Sequence, residues 1–157
     1  MDVNIRRAKH ADMATIWKAT LQTVWDDLPD DERTRVNRDK WEKDLRRRIA
    51  PYVEGGRTEG YVAEDPDGTV VGYLLLGEGG GFLTSEAHGF IFDVWVTADR
   101  RGKGVGTYLV EWAAEWARKR GFHKIKLEVS ESNTRARHIY EKLGFRSERR
   151  YMGRILE

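Results

Sequence analysis

Apolar positions along the chain recur with two periods, and each period predicts its own kind of element. Met13, Ile16, Trp17, Thr20, Leu21, Val24 and Leu28 return every three or four residues, one face of a helix. Asp12 is placed to cap that helix and Pro29 to end it. An acidic turn follows, Asp26-Asp27-Leu28-Pro29-Asp30-Asp31-Glu32. A second helix is predicted over about 31–49. Its thinner stripe (Val36, Trp41, Leu45, Ile49) amid many charges suits a surface position. Val105, Tyr108, Leu109, Trp112 and Trp116 predict a helix over about 104–120, with Gly121 as C-cap after three cations that suit the helix dipole. Ala136, Ile139, Tyr140 and Leu143 predict a last helix from Asn133, closed by Gly144.

Shorter runs read as strands: 3–6, 61–64, 69–76, the strongly apolar 89–97, 123–129, and one or two final strands within 145–156. Asp65-Pro66-Asp67-Gly68 supplies a turn with a mechanism, since Pro presets φ and Gly accepts positive φ. It joins the second and third strands into a hairpin. The glycine-rich stretch 77–81 reads as a flexible connection. The order β-α-α-β-β-β-α-β-α-β predicts one α+β domain over 1–157. Its sheet is largely antiparallel and is flanked by helices.

Composition narrows the function. At 157 residues the chain buries a real core as one domain. Its 28 Lys+Arg against 26 Asp+Glu leave a net charge of +2, which argues against coating nucleic acid. Six Trp and three Pro do not suit a disordered chain. With no cysteine there is no disulfide, thiol nucleophile or thiolate metal site. The four His (His10, His88, His123, His138) are scattered without ligand spacing, so no metal is expected. No signal-peptide h-region and no run of about 20 apolar residues is present, so a cytoplasmic protein with no membrane partner is the expectation.

Candidate chemistry concentrates in Val94-Trp95-Val96-Thr97-Ala98-Asp99-Arg100-Arg101-Gly102-Lys103-Gly104-Val105-Gly106-Thr107. A buried strand runs into a glycine turn that opens a helix. Arg100, Arg101 and Lys103 sit at the helix's positive end, unfavourably unless an anion binds there. First-turn N–H groups and close backbone approach suit a phosphate. The segment is neither GxxxxGK[ST] nor GxGxxG, so it is neither a P-loop nor a dinucleotide fingerprint.

The same segment resembles the GNAT acetyltransferase superfamily, whose [Q/R]-x-x-G-x-[G/A] motif is matched by Arg101-Gly102-Lys103-Gly104-Val105-Gly106. Ala98 stands where proline is common. Asn133-Thr134-Arg135-Ala136-Arg137-His138-Ile139-Tyr140-Glu141-Lys142-Leu143-Gly144-Phe145 resembles the family's N-x-x-A-x-x-x-Y-x-K-x-G-F signature, and Ile5-Arg6-Arg7-Ala8 its opening strand. The resemblance implies an acetyl-CoA cosubstrate in a cleft where strands 89–97 and 123–129, the fourth and fifth, splay apart. It implies Val94 and Val96 amides on the thioester and pantetheine, with Trp95 between them. Amides of Arg101, Gly102, Lys103, Gly104, Val105, Gly106 and Thr107 would cradle the pyrophosphate. Asn133 would contact the pantetheine arm and Tyr140 the sulfur. The implied partner is an amine-bearing acceptor, with a homodimer possible in such proteins.

Each candidate keeps a structural reading beside the functional one. Tyr140 is a core tyrosine by periodicity and a general acid by resemblance. Asp93, the lone acid in an apolar strand, is either a satisfied structural acid or the general base, with Glu128 and then His88 as rivals. Asn133 also fits a plain N-cap. Trp17, Trp25 and Trp41 are candidates for an acceptor pocket, Trp17 fitting the core better. The acidic turn either steers a cationic acceptor or is a solvated cap. Arg46, Arg47 and Arg48 read as a solvated helix face. The alternative to catalysis is a silent CoA-binding module on the same fold.

Overall fold

A computed structural model describes residues 1–157. Its elements in order are β1 (Asn4–Arg7), α1 (Met13–Asp27), α2 (Asp30–Arg33), α3 (Arg38–Val53), β2 (Glu59–Glu64), β3 (Val70–Gly80), β4 (Ala87–Val96), α4 (Val105–Lys119), β5 (Ile125–Leu127) and α5 (Thr134–Lys142). Short 3₁₀ turns precede α1 and follow β4. No helix is long and apolar enough to cross a membrane.

The five strands lie side by side in sequence order. The first three pairings are antiparallel and β4–β5 is parallel. Tyr73-Leu74-Leu75-Leu76 on β3 is buried throughout because both faces of this central strand are covered. Leu74 and Leu76 face α4, joining Val105, Leu109, Val110, Ala113 and Trp116. Tyr73 and Leu75 face the other way, onto Ile16 and Trp17 of α1 and Val53 of α3. The α+β architecture therefore agrees with the sequence expectation.

Three local expectations need correction. The helix expected over 31–49 is two helices: Asn37 accepts from the Lys40 N–H at 3.0 Å and starts α3 afresh, leaving α2 as one turn. The 77–81 connection is instead the end of β3, paired through Gly80↔Ala87. No strand forms within 145–156. Residues 146–157 are exposed and join no ladder. Glu148 reaches Lys124 and Lys126 only through side chains. The charges Arg146, Glu148, Arg149, Arg150 and Arg154 break the alternation a strand would need there.

Candidate active site

The cleft begins as an irregularity in one ladder. β3 and β4 pair Leu75↔Asp93 and then Leu76↔Ile91, which leaves Phe92 as a bulge. A bulge bends its strand and re-aims the side chains beyond it. β5 follows β4 only as far as Gly89↔Ile125, Phe90↔Lys126 and Ile91↔Leu127. Past the bulge, β4 has no neighbour on that side. The Thr97 N–H donates to Val71 O at 2.9 Å, toward β3. Strand alternation therefore turns the Val96 and Val94 N–H groups the other way, into the gap β5 has left.

The turn after β4 continues this surplus of donors. None of the N–H groups of residues 102–107 meets an acceptor in the chain, and the first helical bond of α4 is Tyr108 N–H to Gly104 O at 3.0 Å. Gly104, the N-cap, has φ 86° and Gly102 has φ 74°, conformations costly for any residue with a Cβ. The turn thereby curls its amides toward one spot, the geometry of an anion site.

The three cations of this turn are not equivalent. Arg100 is ion-paired with Asp65, and Arg101 donates from Nε to Val96 O at 3.0 Å. Only Lys103 is exposed without an ion pair or a hydrogen bond. Sequence reasoning missed Arg135. Its guanidinium lies 3.3 Å from where a Cβ on Gly102 would stand, and it has no acidic partner. The signal was available, because Arg135 lies inside the Asn133 signature.

Asp93 points to the α1 side of the sheet. Its Oδ2 accepts from the Tyr73 hydroxyl at 2.5 Å and from Thr20 at 3.2 Å. Burial pushes its carboxyl above the ordinary carboxylate range, against those hydrogen bonds and the Val94 N–H, which favour the charge. Tyr140 on α5 packs against the α4-side core and Phe145. Burial first, then the charges of Asp93 and Asp27, push its phenol up to about 12. The Ser130 hydroxyl donates to Asp27 O at 3.3 Å, tying the end of α1 to the loop after β5. Asp93, Asp27 and Tyr140 therefore gather near the open gap.

Other candidates lie apart or serve the scaffold. Glu128 is exposed just beyond β5, in no ion pair or hydrogen bond. His88 is about 16 Å back along β4 from Asp93, its Nδ1 3.0 Å from Gly89 O. Asn133 caps α5, accepting from the Ala136 N–H at 3.2 Å, and its amide nitrogen stays uncommitted. Trp17 is buried, donates to Glu54 at 3.0 Å and lies under Arg46. Trp25 and Trp41 meet edge-on at 5.0 Å, linking α1 to α3. No group of three His, Cys, Asp or Glu side chains is arranged to hold a metal ion.

The acetyltransferase (GNAT) family profile matches residues 14–145. The chain belongs to this family. It is similar to the L-methionine sulfoximine/L-methionine sulfone acetyltransferase of Pseudomonas aeruginosa, at 29% identity over 92% of this chain and 81% of that protein. It is also similar to the L-amino acid N-acyltransferase MnaT of Escherichia coli, at 27% identity over 91% of this chain and 79% of that one. A solved protein from Pyrococcus furiosus shares the fold, with TM-score 0.81 and 20% identity across 98% of this chain and 99% of that one. The GNAT chain is accordingly an N-acetyltransferase of a family that uses acetyl-CoA.

Proposed function

We propose that this GNAT domain acetylates a small amine by direct attack on the acetyl-CoA thioester, with Asp93 as base and Tyr140 as acid. The observation that carries the reading is the run of amides with no backbone partner, Val96 and 102–107 with Val94 beside the Asp93 carboxyl, leading into a gap near which Tyr140 feels the charge of Asp93. The 102–107 amides, with Lys103 and Arg135, suit the pyrophosphate. Val94 and Val96 N–H suit the pantetheine and the thioester oxygen. Asn133 offers its side-chain nitrogen to the pantetheine arm.

The proton balance follows from these groups. An alkylamine of pKa ~10.4 arrives as ammonium and gives one proton to Asp93. The free amine attacks the thioester carbon, and a β4 N–H holds the oxyanion, the stabilisation that usually contributes most to acyl transfer. The C–S bond breaks, and the thiolate takes the Tyr140 proton. The new amide nitrogen loses its second proton, which returns to Tyr140 through water. Asp93 releases its proton to solvent.

The similar proteins from Pseudomonas and Escherichia act on amino-acid-type amines. An acceptor panel therefore starts with L-methionine sulfoximine and free amino acids, then spermidine and a lysine-containing peptide, with thiol release as readout. Tyr140→Phe is expected to lower kcat about 100-fold while leaving CoA affinity unchanged. Binding of acetyl-CoA with no thiol release for any amine would make the domain a CoA-binding module instead.

A further inference from the structure

Asp93 is held asymmetrically. Both hydroxyl contacts fall on Oδ2, from Tyr73 at 2.5 Å and from Thr20 at 3.2 Å, and none falls on Oδ1. The Tyr73 and Thr20 hydroxyls also lie 2.7 Å apart, so three oxygens from three elements, α1, β3 and β4, close a ring. Tyr73 and Thr20 are buried, and the Tyr73 ring stacks on Trp95 at 5.8 Å. Asp93 itself is only partly buried, and its Oδ1 receives no side-chain hydrogen bond.

We infer that Tyr73 and Thr20 are positioning residues that anchor Oδ2 of Asp93, so that Oδ1 alone faces the acceptor and takes its proton. The inference rests on Asp93 being the base. Two oxygens of a carboxylate ordinarily compete for the same proton, and a freely turning group presents either at any angle. Here each hydroxyl has one proton to give. Tyr73 gives its own to Oδ2. Thr20 gives its own to Oδ2 or to the Tyr73 oxygen. Neither is left to donate to Oδ1.

The groups facing Asp93 are consistent with a dedicated acceptor of protons. Tyr73 stands on β3, Asp27 at the end of α1 and Tyr140 on α5, and no Lys, Arg or His is ion-paired or hydrogen-bonded to Asp93. Burial drives the Tyr73 phenol well above its ordinary range, so it stays a donor at every working pH. A carboxylate held only by neutral donors keeps an exchangeable proton, whereas one held by a guanidinium does not.

The test follows the Asp93 carboxyl by carbon NMR on chain labelled at aspartate Cγ, from about pH 3 to 9, with Asp93→Asn identifying the resonance. Losing a donor to the charged form raises a carboxyl midpoint. Tyr73→Phe is expected to move it up by about one pH unit. Thr20→Val, which removes the longer bond, should move it less and guards against loss of folding in the larger change. The acidic limb of kcat/KM, measured with acetyl-CoA and L-methionine sulfoximine, spermidine or a lysine-containing peptide (whichever releases thiol fastest), should shift by the same amounts. The acetyl-CoA KM should stay fixed. An Asp93 midpoint unmoved in both variants overturns the positioning role. An acidic limb that survives in Asp93→Asn overturns the base assignment beneath it.

Discussion

Two carboxylates of the same sheet answer burial in opposite ways. Glu59 at the start of β2 accepts from the Tyr61 hydroxyl at 2.5 Å, Trp116 Nε1 at 3.0 Å and Arg120 Nη2 at 2.7 Å, and Arg7 lies 2.9 Å away. Burial pushes its carboxyl up, but these partners outweigh burial and hold it at about 2. Asp93 meets hydroxyls and no cation, and burial wins. Lighter burial and three donors, one of them a cation, leave Glu59 a fixed charge, whereas heavier burial with two hydroxyls leaves Asp93 a titrating group. The first pins the end of α4 to the start of β2, and the second lies beside the gap between β4 and β5.

The comparison breaks most sharply at Asp93. Asp93→Asn should cut kcat/KM about 100- to 1000-fold by steady-state thiol release. The same change should raise stability at pH 7 by about 1 kcal/mol, since a raised folded pKa costs stability once the group ionises. That cost is absent below the unfolded value, grows as pH rises from there, and is complete above the folded one. Urea melts at pH 4 and pH 7 check the sign, and a loss of stability at pH 7 would refute it.

Glu59→Gln should act in reverse, lowering stability at pH 7 by about 2 kcal/mol with no effect on kcat. Here the folded pKa is depressed, to about 2 against 4.5. The stabilisation is present above the unfolded value and disappears as pH falls from there toward 2. Wild type and Glu59→Gln should therefore converge in acid, a crossing that urea melts at pH 7 and pH 3 measure.

The donor-rich turn gives two smaller tests. Gly104→Ala places a Cβ at φ 86°, and calorimetry should find CoA binding about tenfold weaker with the fold retained. Arg135→Ala should weaken CoA about threefold, and the deficit should shrink as salt rises, as for an exposed cation.

Much of this was legible in the residues. Alternation and helical spacing set the layers, and the glycine turn marked the stretch whose amides find no acceptor in the chain. What stayed hidden was partnership. Sequence spacing cannot say that Arg100 spends its charge on Asp65, or that Thr20, far from Asp93 along the chain, joins it. A bulge shifts register by one residue and leaves no mark on composition, so the unpaired face of β4 appears only once β3 and β5 are in place. The tail beyond Phe145 failed for a related reason, because a strand exists only with a neighbour.

The three-residue ladder between β4 and β5 has a consequence for the whole molecule. With so short a parallel join, whatever fills the wedge beyond it would supply main-chain bonds that a fifth full strand would have given. Acyl donor would then serve as scaffolding as well as reagent. Saturating CoA at about 100 times its Kd adds roughly 2.7 kcal/mol to folding. Heat and protease resistance of this chain would thus track the supply of its own cosubstrate.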